Sequence, residues 1–393
     1  MDQASRSGHL EDNRFRDVPL LTKKQVPYDL HWFLDEDYFT DELVGFHESE
    51  VQEFCRLSKD AFELFEKATH KILADRQLSQ LGIPSFFEDC IYYSWENRYK
   101  HPFLTGRFDI NGGFNRTRGL VIEFNADTYS TLPETLYWQV MQLAQLPGQP
   151  RQFNQLQQDL ISSFQTICKQ VKTLKPVILG SSFGYPEDVH NVSSILSLAE
   201  KAGYTTYYQN LEHVVFSEEG IFYHVDDDYI KADVWYKIIP WDWMFTDEPE
   251  LAKILSAIIQ QDLAIVLNPP YTSIWQNKLF LAYITRHFPN FIVAETFQER
   301  SRNMDSFVRK PVYGRMGENI LLKDENGKEF SSKGDFGKQT MVYQKYQPLI
   351  QDLEKYYYQT GVFYTQQPSA INVRAQNHKI LTNNCEFLSH FIL

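Results

Sequence analysis

Apolar residues recur at helical spacing over 48–76, where Val51, Phe54, Leu57, Ala61, Leu64 and Phe65 share a face and charged residues fill the gaps. This pattern predicts a long amphipathic helix. A second helical pattern over 134–168 is interrupted at 147–150, a Pro-Gly-Gln-Pro run that favours a break. Elsewhere the period falls to two. TGRFDI (105–110) and LVIEFNAD (120–127) read as strands of a hairpin, joined by the polar, glycine-containing stretch 111–119. PVILGSS (176–182), a helical run over 187–202 and TTYYQNL (205–211) read as β-α-β, which implies parallel pairing. In the last third, 308–322 reads as strand, glycine loop, strand, and 336–349 as a further strand pair. The residues before about Val18 read as a loose tail, and no internal repeat or low-complexity segment is present.

The hairpin carries the most chemistry. On a strand, residues i and i+2 share a face, so Arg107 and Asp109 point one way, as do Glu123 and Asn125. Pairing the strands could gather a guanidinium, two carboxylates and a carboxamide. Such oxygen donors suit Mg2+, and arginine suits a phosphoryl group beside it. A solvated hairpin face with an ordinary Arg–Asp pair fits the same spacing, and both readings stay open. Thr128 and Ser130 lie in a turn before the helical pattern that starts at 134. They could hold a substrate carboxylate, although helix capping explains them more simply. Lys310 precedes a loop containing Gly314 and Gly317. That arrangement can cradle phosphates, but it is no Walker A sequence, and a plain strand–turn–strand with a surface lysine would look similar.

Composition narrows the classes. The 393 residues are 43% hydrophobic, a globular balance, and carry 38 Lys plus Arg against 51 Asp plus Glu, a net charge of −13. With no segregated basic patch, nucleic acid and anionic membranes are not expected as partners. Cys55, Cys90, Cys168 and Cys385 lack metal-ligand spacing, so reduced thiols are expected. The first 17 residues show no apolar core of a signal peptide, and no apolar run reaches about 18 residues. A soluble, cytoplasmic protein is the expectation. His190, His213 and His378 stand alone, and the aromatic run 356–360 with Trp241 and Trp243 reads as core or cleft wall.

Several segments, in order, carry a resemblance: TGRFDI…IEFNADT, WYKIIPWDWM (235–244), LNPPYTSIWQNKLFL (267–281), KPVYGRMGENI (310–320) and INVRAQNHKILTNNCEFLSHFI (371–392). Together, over about 28–393, they resemble the glutathionylspermidine synthase family, meaning the synthetase part of that enzyme and its short stand-alone relatives, which are ATP-grasp carboxylate–amine ligases. The resemblance implies an α/β chain with an ATP-grasp fold and a β-α-β pre-ATP-grasp domain. It implies a tail at 1–17, a central body with the hairpin at 18–170, the pre-grasp substrate unit at 171–235, and ATP-grasp lobes at 236–393 that return to the central body. The cofactors it implies are ATP and Mg2+. ATP would phosphorylate a small-molecule carboxylate, and an amine would attack the acyl phosphate to give an amide, ADP and phosphate.

By the same resemblance Asp109, Glu123 and Asn125 would bind magnesium, while Arg107 and Arg374 would serve the transferring phosphoryl group. Lys278, Lys310, Gly314, Gly317 and Gln344 would hold the nucleotide. Thr128, Ser130 and Asp242 would hold the acid substrate. The loop at 314–319 and the stretch 331–337 are the candidate lids. Ala375 follows Arg374 where the family has an acid. The segment from Asp242 to Asn277 is short, and no amidase domain has a counterpart here. Both features point to the stand-alone relatives. Two other functions compete: a nucleotide-binding sensor or scaffold without turnover, and a metal-dependent hydrolase using Asp109 and Glu123, which lacks an HExxH or His-rich signature.

Overall fold

A computed structural model describes residues 12–27, 30, 31, 34, 38–171, 173–226, 228–302, 304–353 and 355–393. The predicted long helix is Glu48–Ala74. Its buried stripe, from Val51 and Phe54 through Phe65 to Ile72, lies on the face the sequence pattern indicated.

That helix packs on an eight-stranded sheet. Across the sheet run Phe15–Asp17, Phe39–Phe46, Glu386–Ile392, Pro368–Gln376, Tyr357–Tyr364, Gly106–Asn111 and Leu120–Asn125, with Ile350–Gln351 added on Tyr357–Tyr364. Its pairs are antiparallel except Phe39–Phe46 with Glu386–Ile392. The two ends of the described chain therefore meet inside one sheet. The hairpin registers Phe108 against Phe124 and Asp109 against Glu123. Phe108 and Phe124 stack at 3.8 Å on the core side, edge-on to Phe65 of the helix. Burial of two aromatic rings fixes the register. It leaves Arg107, Asp109, Glu123 and Asn125 on the opposite face.

A second sheet is wholly parallel, in the order Ile265–Leu267, Val234–Lys237, Val177–Ser182, Thr205–Asn210, with helix Pro186–Lys201 as the crossover. The β-α-β reading is thus observed, and the sheet also takes a strand from 265–267. A third sheet orders Thr296–Phe297, Met341–Lys345, Phe307–Pro311, Leu321–Lys323 and Glu329–Ser331, all antiparallel. The expected strand pair over 336–349 is one strand, Met341–Lys345, preceded by a 3-10 turn at Phe336–Lys338. The turn forms because Asn319 accepts a hydrogen bond from the Phe336 amide at 2.8 Å, which draws the chain onto the glycine loop. A small meander, Val214–Ser217, Gly220–Val225 and Asp228–Ala232, completes the fold.

The helical pattern of 134–168 divides into a π turn Glu134–Trp138, a short helix Gln139–Leu143 and a helix Leu156–Cys168. The break is longer than Pro147–Pro150 alone, since Asn154 bridges to Ala370 of the central sheet. The four cysteines are free. No helix among the described residues is long and apolar enough to cross a membrane.

Candidate functional site

The polar face of the hairpin meets two other elements. Arg107, 4% exposed, donates from Nε to Asp109 Oδ1 at 2.7 Å and from Nη2 to Asp109 Oδ2 at 3.2 Å. Its Nη1 donates to the Ser130 carbonyl at 2.8 Å and to the Thr131 hydroxyl at 3.0 Å. Arg374, from Pro368–Gln376, reaches Asp109 Oδ2 at 2.7 Å and also donates to Gln359 of the neighbouring strand. One carboxylate therefore engages two guanidinium groups, Arg107 in a bidentate arrangement that fixes its plane and Arg374 through a single nitrogen. Burial opposes the charge of Arg374, but Asp109 together with Cys385, Glu123 and Tyr38 outweighs it and raises its pKa. The Nε of Arg374 is buried without a hydrogen-bond partner among the described residues.

Gly361 makes this approach possible. It sits opposite Asp109, and a Cβ there would lie 2.8 Å from Arg107 Cδ and 2.2 Å from Asn372 Oδ1. Ala375 is in the apolar core on the other face of its strand. The acid missing at that position thus costs Arg374 none of its partners.

Glu123, next to Asp109 across the hairpin, faces two lysines. Lys278 Nζ is 3.5 Å and Lys310 Nζ 3.7 Å from Glu123 Oε2. Lys278 opens helix Lys278–His287, which Asn277 caps by accepting from the Leu279 amide. Its ammonium donates to the Gly314 carbonyl at 2.8 Å. Lys310 and Gln344 lie on paired strands and both donate to the Ile122 carbonyl, at 3.1 and 3.0 Å. Burial raises the Glu123 carboxyl, but Lys278, Lys310, Arg374 and Arg107 together hold it well below the usual carboxylate range. Burial pushes the Lys310 ammonium down to about 8, against the pull of Glu123 and aided by Lys278.

The donors Asp109 and Glu123 with the carboxamide of Asn125 match the hard-oxygen set of a divalent cation such as Mg2+. Asn125 donates to Asp109 Oδ2 at 3.2 Å, and Glu123 lies opposite Asp109 in the hairpin register. Among the described residues no cluster of three His, Cys, Asp or Glu exists, so the carboxamide is needed to reach three donors.

The remaining sequence candidates distribute around this centre. Thr128 and Ser130 lie in the turn after Asn125, and Ser130 engages Arg107 through its carbonyl. Gln276 anchors that turn by accepting from the Ala126 and Asp127 amides at 3.0 and 3.1 Å. Gly317, with φ +67, lies against the Leu381 carbonyl, which a Cβ would approach to 2.1 Å. Asp242 is set apart from Arg107 and pairs with Arg315 of the glycine loop. Beside it Asp127 accepts from Lys237 Nζ at 2.7 Å and from the Trp241 amide at 2.7 Å. Burial lowers the Lys237 ammonium and raises the Asp127 carboxyl. Trp241 is core, whereas Trp243 is half-buried against the exposed Phe183.

The candidate lids form one unit. Ser332 donates to the Gly317 carbonyl, Glu318 accepts from the Asp335 amide at 2.8 Å, and Gln339 accepts from the Tyr313 amide at 2.9 Å.

Gln359, Gly361, Asn372, Gln276, Lys237 and Arg315 were not singled out from sequence. For Arg315 the GR pair in the loop was a usable signal; the others are ordinary residues whose roles depend on distant partners.

Against known proteins, the glutathionylspermidine synthase preATP-grasp family model matches residues 21–393. A putative acid–amine ligase of Haemophilus influenzae is 28% identical over 265 residues, covering 64% of this chain and 64% of the relative. Trypanothione synthetase of Crithidia fasciculata is 24% identical over 314 residues, covering 72% of this chain and 46% of the relative. The matches thus span less than two thirds of either relative. Among solved structures, an apo glutathione synthetase-like effector of Globodera pallida aligns with a TM-score of 0.55 at 10% identity, over 94% of this chain and 96% of that one. At that identity the likeness speaks for the fold alone.

Proposed function

The chain belongs to the glutathionylspermidine synthase preATP-grasp family, and from that premise we propose that it is an ATP-dependent carboxylate–amine ligase that proceeds through an acyl phosphate. The observation that carries this reading is a surplus of buried positive charge. Among the described residues the direct ion pairs of Arg107, Arg374, Lys278 and Lys310 run to two carboxylates, Asp109 and Glu123, and the two lysines share one carboxylate oxygen. Such a centre favours an added polyanion. Phosphoryl transfer asks the protein chiefly for positioned cations around spreading negative charge.

In this reading Lys278, Lys310 and Gln344 bind the nucleotide phosphates, and Gly314 offers its loop beside them. Arg107 and Arg374 stabilise the phosphoryl group in transfer. Asp109, Glu123 and Asn125 hold Mg2+, which when bound neutralises charge on the phosphate oxygens. Thr128 and Ser130 orient the acid substrate near Arg107, with Asp242 further along the cleft. The joined loops at 314–319 and 331–337 exclude water, which would otherwise hydrolyse the acyl phosphate. The unit over 171–235 is assigned to substrate binding and the lobes over 236–393 to the nucleotide. The name of the family suggests glutathione and spermidine as first substrates to try.

The test is a phosphate-release screen with ATP and Mg2+. Glutathione, short peptides and amino acids are crossed with polyamines and amino acids. Release that requires both an acid and an amine supports the ligase. Release with neither, or binding of ATP without release in any combination, rejects it.

A further inference from the structure

Thr131 follows Ser130 in the turn after Asn125, and its backbone lies at φ +68. A β-branched residue in the left-handed region is an outlier, because the branch crowds its own main chain where glycine or asparagine would sit easily. Such strain persists only where surrounding contacts over-determine it, and it gathers at functional sites. The contacts here are hydrogen bonds. The Thr131 hydroxyl donates to the Ser130 carbonyl at 2.6 Å and accepts from Arg107 Nη1 at 3.0 Å and from Asn372 Nδ2 at 2.8 Å. Its one donor and two lone pairs are thus all in use. Helix capping does not account for them, since both groups that donate to this oxygen are side chains.

Asn372 sets the direction of that hydroxyl. Its Nδ2 bridges the hydroxyls of Thr131 and Thr135, at 2.8 and 3.2 Å. Both hydroxyl protons are already given to carbonyls, Thr131 to Ser130 and Thr135 to Thr131, each at 2.6 Å. Both oxygens can therefore only accept, and the carboxamide must turn its nitrogen toward them. That orientation leaves Asn372 Oδ1 buried with no hydrogen-bond partner among the described residues, a costly state for a carbonyl oxygen. Gly361, opposite Asn372 across the strands, leaves the room this oxygen occupies.

Strain at Thr131 and an unpaired oxygen at Asn372 are two departures from ordinary packing, and both serve one guanidinium. Arg107 has five N–H donors. Nε and Nη2 each give one to Asp109, and Nη1 gives one to Ser130 and one to Thr131. Among the described residues one Nη2 N–H is left over, at the tip of the group. Asp109 is a divided partner: it also pairs with Arg374, and it is a magnesium donor in the reading above. The Thr131 hydroxyl is neutral, buried and outside that donor set. We propose that Thr131, locked by Asn372, is the positioning residue that keeps Arg107 aimed at the transferring phosphoryl group while Asp109 serves the metal, an assignment that rests on the ligase reading.

Thr131→Ala and Thr131→Ser differ by one hydroxyl, and neither carries the branch. Each is compared with wild type in phosphate release, using ATP, Mg2+ and the acid–amine pair that wild type turns over fastest, with thermal melting to check the fold. Thr131→Ala should lower kcat on the order of 10–100-fold, the effect of a small misplacement. The KM for ATP should stay at the wild-type value, because the lysines are untouched and the lost interaction acts in the transition state. Thr131→Ser should bring kcat back near wild type. Asn372→Ala unlocks the hydroxyl without removing it and should lower kcat alone, by less. Wild-type kcat in Thr131→Ala overturns the assignment. So does a Thr131→Ser protein as slow as Thr131→Ala, or a loss carried by the KM for ATP. Should Thr131→Ala not fold, Asn372→Ala decides in its place, and wild-type kcat there overturns the assignment. Wild type that turns over while no variant slows removes this assignment alone. Wild type that releases phosphate with no acid–amine pair removes the ligase reading and the assignment with it.

Discussion

Two buried charge clusters lie on either side of the turn that follows Asn125, and they are built differently. On one side, Lys237 and Arg315 face Asp127 and Asp242, two cations for two carboxylates. Lys237 is saturated: it donates to Asp127 and to the Ile239 carbonyl, and its Nζ sits 4.4 Å over the Trp241 ring. On the other side, four cations share Asp109 and Glu123, and the lysine contacts to Glu123 are longer than hydrogen bonds. Burial of either set costs several kcal/mol per ion. The first recovers that cost within the molecule because its charges balance one to one, even though Arg315 Nε, like Arg374 Nε, is buried without a hydrogen-bond partner among the described residues. The second is left short of negative charge, and a ligand must supply it. Charge balance inside a buried cluster therefore separates architecture from binding here.

The contrast predicts opposite results for lysine removal. Lys237→Met should strip Asp127 of its cation in a dry site and cost about 3–5 kcal/mol, read by denaturant unfolding. Lys310→Met should leave stability unchanged or raise it, since it relieves repulsion with Lys278. Its effect should fall on nucleotide binding, with ATP affinity about 10–100-fold weaker by calorimetry, the worth of one charged hydrogen bond. Equal destabilisation by the two variants would collapse the distinction.

Part of this was readable from the chain. The two-residue period put Arg107 with Asp109 and Glu123 with Asn125, and the Phe108–Phe124 stack that enforces it follows from the same alternation. The glycine loop and both lysines were visible as segments. What sequence spacing could not supply was closure at long range. Arg374 meets Asp109 across 265 positions and Lys237 meets Asp127 across 110, so neither pair leaves a local signature. The short strand at 265–267 joins the parallel sheet for the same reason: only neighbours in space reveal it. Thr131 looked like an ordinary turn residue, and only its left-handed backbone and its hydrogen bonds to distant side chains set it apart.

The cation-rich cluster can be sharpened further by its acids. Glu123→Gln removes one magnesium donor and also frees both lysines. The magnesium concentration needed for half-maximal ATP binding should rise roughly tenfold, about 1.4 kcal/mol, while ATP binding without magnesium should strengthen. Asp109→Asn should raise the magnesium requirement too, but weaken Arg107 and Arg374, so metal-free binding should not improve. Identical magnesium titrations for wild type and both variants would remove these residues as ligands.

A third case is a buried site with no net charge at all. His390 lies inside the central sheet, where its Nε2 accepts from the Phe153 amide at 3.3 Å and its Nδ1 meets Gln139 Oε1 at 3.1 Å. The network is complete only for the neutral ring, and burial lowers the imidazole from 6.5 to about 3. The unfolded chain therefore binds this proton first as pH falls. Stability from His390 is whole above 6.5 and is lost as pH drops toward 3, at up to about 1.4 kcal/mol per pH unit. The difference between wild type and His390→Gln in denaturant unfolding, followed from pH 7 to 5, should show that slope. Because His390 belongs to a closed network, ATP affinity over the same range should be the same in both proteins. A change in affinity without a change in stability would place His390 with the open cluster and break the rule drawn from the other two.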